Sequence, residues 1–137
     1  MIYRSKAPLR IGLAGGGTDV SPYCDKFGGA ILNITISLYA HASIELIPGN
    51  ESEIIIADSQ EELRFTHGEK IETTGKAALP VAVYNRILKD YGLKKSAFRL
   101  TTSVDAPAGS GLGTSSTLVV AVLGAFAEML QLPLGEY

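Results

Sequence analysis

The chain is poor in cysteine, in histidine and in long apolar runs. Cys24 is the single cysteine in 137 residues. No internal disulfide can form, which suits a reducing compartment, and the cytoplasm is the expected location. Nothing in the sequence pairs Cys24 with a base for nucleophilic work. His41 and His67 stand alone, with no second histidine, cysteine or carboxylate at metal-ligand spacing, so both are expected to be structural or surface residues. The longest apolar run, Leu118 to Phe126, falls short of the about 20 residues that a bilayer crossing needs. The opening "MIYRSKAPLRIGLAGGG" lacks a continuous apolar stretch behind a positive start, so no secretory signal is expected.

Charge of one sign is missing too. Twelve Lys and Arg stand against 14 Asp and Glu, a formal net charge of -2, and no basic stripe occurs. That balance gives no reason to expect nucleic acid or an anionic membrane as partner. Glu61-Glu62 and Lys94-Lys95 read as solvated surface. There is no internal repeat and no low-complexity linker. What is present is one domain's length of chain, 46% hydrophobic, enough to bury a core.

The pattern predicts a strand at "RIGLA", Arg10 to Ala14. A short helical turn or loop follows at "SPYCDKFGG", with Ser21 as cap and Pro22 in the first helical position. Residues 30–47 are rich in β-branched side chains and mostly alternate, giving one long strand or two that turn near Ser37 or Leu38. "PGN" at 48–50 marks a turn, then "SEIIIAD" and the weaker "ELRFTHG" read as strands. From Lys76 to Tyr91, Leu79, Val83, Ile87 and Leu88 recur at helical spacing, with Gly92 at the C-cap. "SAFRLTTSV" alternates again. After a glycine-rich loop, "SSTLVVAVLGAFAEMLQL" is apolar almost all round and predicts a buried helix. Strands backed by helices on one face make an α+β fold, with a mainly antiparallel sheet.

The loop "DAPAGSGLGTSST" carries the chemistry. A strand, glycines and a helix start make an anion site, because the first backbone N–H groups of a helix lack intrahelical partners. Gly109, Gly111 and Gly113 allow close approach of the backbone. Thr114, Ser115 and Ser116 bring hydroxyls that can cap the helix, bind phosphate or coordinate Mg²⁺. No lysine precedes Thr114 as a Walker A loop requires, and the spacing G-x-G-x-G is not the dinucleotide fingerprint. A second strand-to-glycine junction, "RIGLAGGGTDVSPY", presents Asp19 after Gly15 to Gly17. It reads either as a turn with a helix cap or as a carboxylate that accepts hydrogen bonds from substrate hydroxyls. Tyr23 and Tyr39 suit sugar contact or packing.

"PAGSGLGTSS" resembles the phosphate loop of the GHMP kinases, and "PLRIGLAGGGTDVSPY" is similar to their first motif. The "AGGGTD" form, with "FGGAILNITI" after it, looks most like the bacterial D-glycero-D-manno-heptose kinases; fucokinase-type domains carry a related signature. The resemblance implies an ATP-dependent kinase of two lobes, with a left-handed βαβ unit in the first, phosphorylating the anomeric hydroxyl of a heptose 7-phosphate. Residues 1–137 correspond to the N-terminal, ATP-binding domain, with the C-terminal domain and the catalytic Asp expected beyond Tyr137. By motif position, Pro107, Ala108, Gly109, Ser110, Gly111, Leu112, Gly113, Thr114, Ser115 and Ser116 wrap the ATP phosphates. Thr114 or Ser115 faces Mg²⁺. Arg10, Gly16, Gly17, Thr18 and Asp19 face the sugar or sugar phosphate. The C-terminal lobe, or a second copy of the chain, is the expected protein partner. The alternatives are a truncated non-catalytic phosphate-binding module, or a fucokinase- or galactokinase-like lobe.

Overall fold

Period-two alternation sets Ala40, Ala42 and Ile44 on one side of a strand and His41, Ser43 and Glu45 on the other. In the computed structural model, which describes residues 1–93 and 96–135, that strand is the backbone of the sheet. The elements run β1 (Ile2–Ala14), α1 (Tyr23–Phe27), β2 (Leu32–Leu46), β3 (Glu51–Ile56), β4 (Glu61–Thr66), α2 (Ala78–Tyr91), β5 (Phe98–Val104) and α3 (Thr114–Leu130). The five strands form one sheet in the order β1-β2-β5-β3-β4. β3 and β5 are parallel, joined through β4 and α2, and the other pairings are antiparallel. This is the expected α+β class.

β1 begins eight residues earlier than the alternation of "RIGLA" suggests, at Ile2 rather than Arg10. Of the two alternatives for residues 30–47 the single long strand holds, and a bulge lies near Ser37 and Leu38. Pro8 pairs with Tyr39 but Arg10 with Thr35, so residues 36–38 stand opposite Leu9 alone. Bulges bend strands and raise their twist. Beyond this one the β1–β2 arm carries exposed apolar side chains, among them Leu13, Leu32 and Ile34.

Helices α2 and α3 cover the face that bears Ala40, Ala42, Ile44, Ile54 and Leu100. At the centre Phe98 meets Phe126 edge-on, with ring centroids 5.4 Å apart, and Tyr84 at 5.8 Å. Burying side chains of this size contributes about 1.5–3 kcal/mol each. The Tyr84 hydroxyl donates to the Glu69 carbonyl at 2.8 Å and accepts from the Gly68 N–H at 3.2 Å. Burial pushes its phenol up from the ordinary value. His67 is structural, as expected: its Nδ1 is 2.9 Å from Ser52 Oγ and its ring packs on Phe98.

Three local expectations need correction. The inward residues of α2 are Pro80, Val81, Val83, Tyr84 and Ile87, while Leu79 is partly exposed. α3 is not buried all round: Val120 is 59% exposed. Ser21 caps nothing, since α1 starts at Tyr23 after Pro22 and the Ser21 hydroxyl donates to the Asp25 carboxylate. The Lys94-Lys95 reading lies outside the described residues. Among the described residues, no helix is long and apolar enough to cross a membrane.

Candidate phosphate-binding site

β5 delivers the chain to the glycine loop, and α3 takes it away. Gly109, Gly111 and Gly113 have φ of 80°, 74° and 75°. L side chains resist this left-handed region, which costs them roughly 1–2 kcal/mol each. Alternation of left-handed glycines with ordinary residues turns successive N–H groups toward one concavity, a recognised anion cradle. Pro107 to Gly111 are exposed, and nothing lies within 4 Å of a Cβ built on Gly109 or Gly111. Ser110 N–H bonds back to the Pro107 carbonyl at 3.2 Å, closing the loop's first turn.

Gly113 is the N-cap of α3, and no side chain caps that end. The first helical bond runs from Thr117 N to the Gly113 carbonyl, 3.1 Å, so the amides of Thr114, Ser115 and Ser116 have no backbone partner among the described residues. Capping, one of the three roles open to Thr114, Ser115 and Ser116 in the sequence, does not occur. Their hydroxyls make no hydrogen bond among the described residues, whereas Thr117 Oγ1 returns to the Gly113 carbonyl at 2.8 Å. Uncapped amides, the positive end of the helix dipole and free hydroxyls therefore coincide at one exposed point, a set suited to an anion.

The first motif meets this loop through Arg10. Its N–H donates to the Leu112 carbonyl at 3.0 Å. Its side chain runs over Gly113, where a Cβ would lie 3.3 Å from both Cγ and Nε. Its Nη1 reaches Asn33 Oδ1 at 3.4 Å. Arg10 thus stands beside the glycine loop, whereas the resemblance set it facing the sugar.

The turn after β1 is built on two close approaches. A Cβ on Gly15 would sit 1.9 Å from the Ala30 carbonyl oxygen, and one on Gly29 would sit 1.9 Å from that of Thr18. Thr18 joins the two segments: its Oγ1 lies 2.7 Å from the Gly15 carbonyl, 3.0 Å from the Ala30 carbonyl and 3.2 Å from the Ala30 N–H. The hydroxyl therefore serves the loop's own architecture. Asp19 follows on the surface, and its carboxylate makes no hydrogen bond among the described residues. Gly16 and Gly17 have open space around them.

The sequence reading missed Asp105 and its partner. Asp105 accepts from Tyr39 N–H at 2.8 Å and lies 3.0 Å from His41 Nε2. The Tyr39 N–H and His41 hold its carboxyl below the usual range. His41 is thus not isolated, although 64 residues separate it from its partner. Among the described residues no group of three or more His, Cys, Asp or Glu could hold a metal ion. Side-chain oxygens at the loop are the hydroxyls of Ser110, Thr114, Ser115 and Ser116 and the Asp105 carboxylate, which already meets Tyr39 N–H and His41.

Residues 78–137 match the sequence profile of the family described as GHMP kinases N terminal domain. The chain is 50% identical over 136 residues to the D-glycero-alpha-D-manno-heptose 7-phosphate kinase of Campylobacter jejuni, covering 98% of this chain and 40% of that protein. It is 30% identical to the L-fucokinase/L-fucose-1-P guanylyltransferase of Bacteroides fragilis, over 90% of this chain and 15% of the other. Among solved structures, a D-glycero-D-manno-heptose 1-phosphate kinase from Bacteroides thetaiotaomicron superposes with a TM-score of 0.92 at 55% identity, covering 100% of this chain and 44% of that one. The chain spans less than half the length of each of these relatives.

Proposed function

We propose that this chain belongs to the GHMP kinase family and is the nucleotide-binding lobe of an ATP-dependent kinase acting on a heptose phosphate. The observation that carries the reading is the convergence of three left-handed glycines, the uncapped start of α3 and the Arg10 side chain at one exposed point. A cation beside a helix N-terminus is electrostatically unfavourable by itself. A polyphosphate there would offset both positive charges.

In this account the amides of Gly109 and of Gly111 to Ser116, with the Arg10 guanidinium, orient the ATP phosphates. Thr114 and Ser115 would hold Mg²⁺ through their hydroxyls, and the ion would supply neutralisation of phosphate charge. Asp19, held out by the Thr18-locked turn, accepts hydrogen bonds from sugar hydroxyls. Pro107 and Ala108 line the loop's entry, and Gly16 and Gly17 leave room for the acceptor. Phosphoryl transfer depends mainly on positioning and charge stabilisation. A second lobe, supplying the Asp that takes the acceptor's proton, completes the cleft; the exposed apolar arm at Leu13, Leu32 and Ile34 fits such a partner. The acceptor is the anomeric hydroxyl of D-glycero-D-manno-heptose 7-phosphate, a choice supported by the identity to the Campylobacter relative, well above that to the fucokinase.

The test uses the whole protein with MgATP. ³¹P NMR should show ADP and a new sugar-1-phosphate resonance when the heptose 7-phosphate is the acceptor. Turnover of L-fucose with none of the heptose phosphate would overturn the acceptor assignment.

A further inference from the structure

Asp105 sits where β5 leaves the sheet, just ahead of the glycine loop. Its N–H donates to the Tyr39 carbonyl at 2.9 Å, Tyr39 N–H donates to its Oδ2 at 2.8 Å, and His41 Nε2 lies 3.0 Å from its Oδ1. Between Pro107 and Gly113 the described backbone bonds are few. Ser110 N to Pro107 O is internal to the loop, and Arg10 N to Leu112 O ties its far end to β1. The loop is therefore fixed at two points, Asp105 on β2 and Leu112 on β1. Glycines between those points offer little conformational resistance of their own.

We infer that Asp105 and His41 are positioning residues: they hold the entry of the glycine loop in its phosphate-binding arrangement without touching the ligand. The inference rests on the nucleotide-binding reading above and deepens it. The His41 and Asp105 side chains are 42% and 38% exposed, so as an isolated ion pair they would contribute little. Their role is geometric. Asp105 gives the Tyr39 N–H, just past the last β2–β5 pair, an acceptor, and His41 fixes the carboxylate's rotamer. Lys6, paired with His41 across β1 and β2, lies over the Tyr39 ring at 4.6 Å and extends the cluster to a third strand. Released from this tie, the loop samples other conformations, and apparent nucleotide affinity falls in proportion to the competent fraction.

The test compares the parent with Asp105→Ala, Asp105→Asn and His41→Phe, well below their melting temperatures. ¹⁵N relaxation reads the Gly109, Gly111 and Gly113 amides without nucleotide, and calorimetry reads MgADP binding. In Asp105→Ala the glycine order parameters should drop toward the flexible range, below about 0.6. MgADP binding should weaken about tenfold or more, the scale set by losing hydrogen bonds to a charged group. Asp105→Asn, whose carboxamide oxygen still accepts from Tyr39 N–H, should recover part of both. His41→Phe should show the smaller loss, and it decides the matter alone if Asp105→Ala does not fold. Glycine amides as rigid as in the parent, with only the melting temperature lowered, would overturn the inference. If the parent fails to bind MgADP, the nucleotide reading fails, and the relaxation data still decide whether the pair positions the loop.

Discussion

The side chain of Arg10 lies on Gly113, so closely that a Cβ there would stand 3.3 Å from Arg10 Cγ and Nε. One strand of the first motif and the N-cap of α3 are thereby joined through a single missing side chain. Gly113→Val meets both a φ of 75° and the Arg10 side chain. It should cost about 1–2 kcal/mol in stability from the left-handed backbone and abolish measurable MgATP binding. Thermal melts followed by circular dichroism, with calorimetric titration of MgATP, check both.

The turn after β1 separates two kinds of glycine. Gly29→Ala drives a Cβ to 1.9 Å from the Thr18 carbonyl oxygen, against backbone that cannot step aside. It should destabilise by roughly 1–3 kcal/mol or more, as overpacked sites do. Gly16→Ala meets nothing within 4 Å, and its φ is not in the left-handed region. It should stay within about 0.5 kcal/mol of the parent. Urea unfolding midpoints distinguish the two.

Thr18 is the next point of failure. Thr18→Val keeps the shape but leaves the Ala30 N–H without its acceptor. That N–H is exposed and water can take the acceptor's place, so the expected loss is the net worth of a hydrogen bond, about 0.5–1.5 kcal/mol. Thr18→Ser should restore most of it, because the hydroxyl is what joins Gly15 and Ala30. Equal unfolding midpoints for the valine variant and the parent would remove Thr18 from this role.

Asp105 titrates below its ordinary value because Tyr39 N–H and His41 favour the charged form. A group lowered in the folded state contributes stability above its unfolded value, near pH 4, and that contribution is lost as pH falls through the folded value. Asp105→Asn should therefore unfold at lower urea than the parent at pH 7. The gap should close progressively below about pH 4, as the parent's carboxyl protonates. An unchanged gap at pH 3 would assign the difference to shape and not to charge.

Much of this was legible in the sequence. The glycine loop, α2, α3 and β3 to β5 follow from alternation, helical spacing and glycine placement. The first half of β1 was not, for a physical reason. Its inward positions include Tyr3, Ser5 and Ala7, which carry little apolar contrast, and Pro8 reads as a breaker. At an edge strand beside a bulge, proline's missing N–H is tolerated. The Asp105–His41 contact was invisible for another reason: it depends on β2 pairing with β5, and no local pattern records which strands pair. The role of Thr18 was hidden likewise, since its partners Ala30 and Gly29 come close only after the β1–β2 connection folds back.

The central claim is that the Gly109–Ser116 loop holds nucleotide phosphates. Titrating ¹⁵N-labelled protein with MgATP tests it most directly. The account predicts the largest amide shifts at Gly109, Gly111, Gly113, Ser115 and Ser116, with the Arg10 amide following. Shifts confined elsewhere, for instance to the cleft lined by Lys70, Thr73 and Arg86, or no shifts at saturating nucleotide, would contradict it.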